Sequence, residues 1–65
     1  MNVTYDPDTD TLSIGLAPRE VAESDEDKPG VILDYDAEGR LVGIEILDAS
    51  KTMPDPASVN LRLAV

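Results

Sequence analysis

Sixty-five residues, with five Lys plus Arg, fourteen Asp plus Glu and no His, carry a net charge of −9. That length holds one domain, and a hydrophobic content of 42% sets the chain apart from disordered compositions. Without Cys or His there is no disulfide, no thiolate zinc site, no thiol nucleophile and no imidazole base. The acidity repels phosphate backbones and anionic lipid, so direct binding of nucleic acid or membrane is not expected.

The opening Met1-Asn2-Val3-Thr4-Tyr5-Asp6 has neither a basic region nor an apolar one and does not read as a secretory signal. The longest apolar stretch, Leu41 to Leu47, is interrupted by Glu45 and falls far short of the roughly 20 residues of a membrane span. A cytoplasmic location is the expectation.

Residues 2–16 read as a hairpin. Val3, Tyr5, Leu12, Ile14 and Leu16 alternate with polar or small residues, the period of a half-buried strand. Between the two runs, Asp6-Pro7-Asp8-Thr9-Asp10 has the chemistry of a type I turn, with Asp10 suited to a left-handed conformation. Its alternating carboxylates also resemble the start of a calcium loop. Such a loop needs Gly at its sixth position and Glu at its twelfth, where this chain has Thr11 and Ala17. The tight turn is the stronger reading, and no metal is expected.

Residues 17–30 read as an acidic connector. Val21 with its neighbours suits a short edge strand, and Asp25 to Gly30 a loop. Five carboxylates fall in the eight residues from Glu20 to Asp27: Glu20, Glu23, Asp25, Glu26 and Asp27. A solvated loop accounts for them. The alternative is a surface that neutralises a basic protein partner.

A second hairpin is read over 31–47. Val31, Leu33 and Tyr35 alternate with Ile32, Asp34 and Asp36, and Asp36-Ala37-Glu38-Gly39 fits a turn with Gly in the left-handed position. Gly43 in the return strand predicts a β-bulge that places Leu41, Ile44 and Ile46 on one face. Glu45, a charge within an apolar strand, either faces solvent or pairs with a cation, for which Arg19, Arg40 and Arg62 are the candidates. The two hairpins share a pattern: Tyr5-Asp6 matches Tyr35-Asp36, and Leu12 matches Leu41 one residue out of step. Internal duplication and convergent turn chemistry both account for this.

Residues 48–53 predict one helical turn capped by Asp48 or Ser50 and stopped by Pro54 and Pro56. Val59, Leu61, Leu63 and Val65 then alternate with Asn60, Arg62 and Ala64, which predicts a C-terminal strand over 58–65. That strand would close its own sheet or add to the edge of a neighbour. The fold class is mainly β: a small antiparallel sheet or half-barrel of two hairpins plus the C-terminal strand, with one short helical turn.

Three stretches together carry a family resemblance. They are Tyr5-Asp6 with Asp10-Thr11-Leu12-Ser13-Ile14, Gly30 to Asp36, and Gly39 to Ser50, of which Gly43-Ile44-Glu45-Ile46-Leu47-Asp48-Ala49-Ser50 is the most specific part. The chain resembles the short prokaryotic proteins grouped as domain of unknown function 2283 over residues 3–51. The resemblance implies a small single-sheet protein and carries no activity over to any residue. Some members stand beside small toxin-like proteins, which implies an antitoxin or binding partner. The tail from Pro54 departs from the longer C-terminal helix of many members.

Function is reasoned chiefly from size. A chain near 60 residues buries only about 60% of its unfolded surface, and small domains without disulfide or metal commonly oligomerise. The sequence predicts a non-enzymatic, cofactor-free interaction protein, a homodimer with a basic protein as a candidate second partner. In that reading Val3, Leu12, Ile14, Leu33, Ile44 and Ile46 pack within each sheet, while Ile32, Val42, Leu47, Leu61 and Leu63 form the oligomer interface. The alternatives are a carboxylate- or metal-dependent hydrolase using Asp6, Asp8, Asp10 or Asp34, Asp36 at a site shared between subunits, and a nucleic-acid mimic.

Overall fold

Period-two alternation, not helical periodicity, dominates the chain, and strands follow from it. A computed structural model describes residues 1–64. It contains β1 (Asn2–Asp6), β2 (Thr11–Gly15), β3 (Glu23–Lys28), β4 (Val31–Tyr35), β5 (Leu41–Ile46) and α1 (Ala49–Thr52). The strands form one open antiparallel sheet in the order β1-β2-β5-β4-β3.

Both expected hairpins form, and their turns use the same device. The Asp6 carboxylate accepts the Asp8 N–H at 2.9 Å, and the Asp36 carboxylate accepts the Glu38 N–H at 3.0 Å. A left-handed residue then reverses the chain, Asp10 at φ 55° in the first turn and Gly39 at φ 79° in the second.

The predicted bulge is present on β5. Asp34 pairs with Gly43 and Tyr35 with Leu41, so Val42 is the extra residue. It also settles the one-residue mismatch between the hairpins. Tyr5 faces Leu12 and Tyr35 faces Leu41, yet Val3 faces Ile14 and Leu33 faces Ile44. The second turn is a residue shorter, and the bulge restores the step. Ile14 and Ile44 are also opposed across the β2–β5 seam. In register, β1-β2 and β4-β5 are therefore related by an approximate two-fold at that pair.

Two expectations over the rest of the chain are corrected. The fifth strand is Glu23–Lys28, not a segment around Val21, and Asp25 to Lys28 is strand rather than loop. Its composition disfavours sheet, but as a fully exposed edge strand it needs only backbone partners on β4. Pro29-Gly30, with Gly30 at φ 83°, fits the type II turn that returns the chain into β4. The C-terminal strand does not form: residues 58–64 carry no strand, and Val65 lies outside the described residues. Alternation alone cannot supply the hydrogen-bonding neighbour that a strand requires.

Cross-strand partners share a face. One face collects Val3, Tyr5, Leu12, Ile14, Val31, Leu33, Tyr35, Leu41, Ile44 and Ile46; the other carries Thr4, Ser13, Ser24, Glu26, Ile32, Asp34 and Glu45. Of the large aliphatic side chains on the described residues, only Leu12 and Val42 are buried. The extents are 34 × 33 × 19 Å, and one sheet and one four-residue helix are the only regular elements among the described residues; Ala49 of α1 and Pro56 after it are buried.

Candidate functional site

Three carboxylate clusters and one bare apolar face are the features with chemical content. The first cluster fixes the helical turn to the first hairpin. Asp10 accepts the Tyr5 hydroxyl (2.7 Å), the Ser50 backbone N–H (3.0 Å) and the Ser50 hydroxyl (2.6 Å), while its carbonyl accepts the Ala49 N–H (2.9 Å). Neither expected residue caps α1. Asp48 stands at the N-cap in a left-handed conformation and makes no capping bond, so the orphan N–H is met by Asp10, 40 residues away. Hydrogen bonds from Ser50, then from Tyr5, hold the Asp10 carboxyl below its ordinary range. The same bond to Asp10, with partial burial, raises the Tyr5 phenol.

The second cluster ties down the chain where it crosses from β2 to β3. Asp36 is buried and accepts the Arg40 N–H and the Arg40 Nε, both at 2.9 Å; the Arg19 Nε stands 3.5 Å away. Burial alone would raise the Asp36 carboxyl. The bonds from the Arg40 N–H, its guanidinium and the Glu38 N–H outweigh that and hold it low.

The third lies on the polar face. Glu45 was expected to face solvent or to meet a cation. It lies half-buried on that open face, and the group it meets is Asp34, on the neighbouring strand: the hydrogen bond with Asp34, then partial burial, raises the Glu45 carboxyl. Arg19 is engaged by Asp36 and Arg40 by Asp36 and Glu38. Asp34 is buried and accepts the Ser24 hydroxyl from β3 at 2.7 Å. Gly43 makes room for it, since a Cβ there would stand 3.2 Å from Asp34 Oδ2. Chemically the raised Glu45 carboxyl is a group that can hold a proton beside Asp34. It lies on an open face and lines neither a cavity of about 240 Å³ beside Glu26–Pro29 nor one of about 180 Å³ beside Met1, Asn2, Gly15, Ala17 and Pro18.

The residues singled out for binding are scattered. Glu20 precedes β3; Glu23, Asp25, Glu26 and Asp27 lie on it, fully exposed. Asp6, Asp8 and Asp10 do not converge, and no group of three or more metal-ligating side chains does so among the described residues. The five interface residues form no single surface. Val42 is buried, Ile32 sits among carboxylates on the polar face, Leu47 follows β5 at the rim, and Leu61 and Leu63 project from the tail. The continuous apolar surface is the other face, whose residues the sequence assigned to an internal core. Their shared period-two phase was the signal for it.

A family model described as "Protein of unknown function (DUF2283)" matches residues 2–50, that is, all five strands and the start of α1. No curated protein and no solved structure matches the chain. No helix among the described residues is long and apolar enough to cross a membrane.

Proposed function

The chain belongs to the DUF2283 family, and we propose that this member works by association rather than catalysis, as a homodimer closed over the apolar face of its sheet. The observation that carries this is the bare face itself. Ile14, Val31, Leu33, Ile44 and Ile46 are half-buried and Val3 is exposed, and the described residues hold no second sheet and no helix longer than the four residues of α1. Completing the burial of such a side chain contributes about 1 kcal/mol. A second copy brings an equal area of the same chemistry, and stacked sheets meet about 10 Å apart.

Sedimentation of the intact chain at micromolar concentration tests the reading. The expected result is twice the 7.0 kDa chain mass. Val3→Lys places a charge on the face at a position already 40% exposed, so it spares the single-chain fold and weakens the dimer. A monomer across the whole concentration range would overturn the proposal.

A second reading is favoured by β3, whose sequence Glu-Ser-Asp-Glu-Asp-Lys presents four carboxylates on an open sheet edge. A basic strand from another protein could pair there with both backbone and charge matched. The probe is an alternating Lys-Val peptide, expected to bind in low salt and to perturb β3 amide resonances. Perturbations confined to other strands would remove this reading.

A further inference from the structure

Resting on the homodimer reading, we infer that the segment 58–64 of each copy adds as a sixth strand to the free edge of β1 in the other. The sheet itself marks the vacant position. By register β1 corresponds to β4, and β4 is flanked on its outer side by β3, whereas β1 has no outer neighbour among the described residues. The outer backbone groups of β1 therefore offer a template for one more strand.

The segment has the pattern to fill it. Val59, Leu61 and Leu63 alternate with Asn60, Arg62 and Ala64. The three aliphatic side chains are 58%, 86% and 84% exposed, and residues 59–64 make no backbone hydrogen bond to any described residue. Side-chain parity selects between the two open edges. Beside β1, Val59, Leu61 and Leu63 would continue the row of Val3 and Tyr5 on the apolar face, with Arg62 on the polar face beside Thr4 and Asp6. Beside β3 the same side chains would lie against Glu23 and Asp25, or against Ser24 and Glu26.

The second copy, rather than the same chain, is indicated by where the segment departs. Tyr5 belongs to the apolar face, and its hydroxyl is joined through Asp10 to Ser50 of α1, so that α1 is anchored beside that face. In this inference the tail, which follows α1, continues on that side, where the partner sheet stacks. Seven extended residues reach about 23 Å, more than twice the gap of about 10 Å between stacked sheets. Area argues the same way. A face five strands wide and five residues long has a footprint of only about 24 by 17 Å, small beside a standard interface that buries roughly 800 Å² of accessible surface per partner. Exchanged strands would supply much of the difference.

The test uses the full chain. Leu61→Asp/Leu63→Asp alters only exposed side chains and is expected to raise the dimer dissociation constant at least tenfold, with the single-chain fold intact by circular dichroism. A wild-type dimer whose dissociation constant the double variant leaves unchanged would overturn the exchanged strand alone; a wild-type monomer would overturn the dimer with it. Position is read by disulfide formation, since the chain has no cysteine of its own. Thr4→Cys mixed with Asn60→Cys or with Arg62→Cys is expected to give a covalent heterodimer in at least one pairing. No cross-link between copies in either mixture, or a Thr4→Cys/Asn60→Cys double variant that links only within one chain, would overturn the exchange.

Discussion

Asp10 shows how much one side chain holds in a protein with so little core. It ends the first turn in a left-handed conformation, receives Tyr5 and caps α1. Ser50→Ala removes the 2.6 Å bond, and a bond to a charged acceptor on an exposed site contributes about 1 kcal/mol. The expected fall in melting temperature is about 4–8 °C. Asp10 and Asp36 both have folded values held low, so their stabilisation is present above the ordinary carboxylate range and is lost as pH falls through the folded values. Glu45 acts with the opposite sign. Its folded value is raised, so its contribution is complete below the unfolded value of about 4.3 and is lost as pH rises through the folded one. Around this pair the facing ionisable groups are Asp34 and, on β3, Glu26, with Ser13 and Ile32 as uncharged neighbours. Glu45→Gln keeps a hydrogen-bond donor for Asp34 and cannot ionise. Urea melts at two pH values check this: the variant is expected to be more stable than wild type at pH 7 and nearly equal to it at pH 4.

At the scale of elements, the bulge on β5 is the feature on which register depends. Gly43 lies under Asp34 and against Ile14, where a Cβ would meet the Asp34 carboxylate at 3.2 Å and the Ile14 carbonyl at 3.3 Å. The carboxylate can swing away; the backbone carbonyl of a paired strand cannot. Gly43→Ala is expected to cost about 1–3 kcal/mol, read from chemical denaturation, and to broaden the amide resonances of Ile14 and Asp34 before those of β3. The hairpins, the bulge and the single helical turn were legible in the sequence, because turn residues and period-two runs are local signals. The cap on α1 was not, since its partner is 40 residues distant. Nor was β3, a charged run that becomes strand because β4 offers it an unpaired edge. The tail shows the converse: residues 58–64 have the pattern of a strand without a neighbour inside the chain. The partner of Glu45 was missed because charge complementarity points to arginine, while the fold places a second carboxyl beside it.

At the scale of the whole molecule, salt separates the two kinds of association. Two copies meeting across the apolar face bring together twice −9, and their attraction is hydrophobic, which salt does not screen. Their repulsion is between exposed carboxylates, such as those of β3 at the margin of that face, and it is screened once the Debye length shrinks. Raising ionic strength from about 0.01 M to about 1 M shortens that length from about 30 Å to about 3 Å. Homodimerisation should therefore tighten across the series, and the melting temperature should rise with it. It should also rise with protein concentration, because folding and association are then linked by mass action. Binding of a basic strand to β3 has the opposite dependence, since its attraction is the screened component. Sedimentation equilibrium of the chain alone, and titration with the Lys-Val peptide, each across the salt series, give two slopes. The expected slopes have opposite signs. A self-association that weakened with salt would place charge, not the apolar face, at the contact between copies.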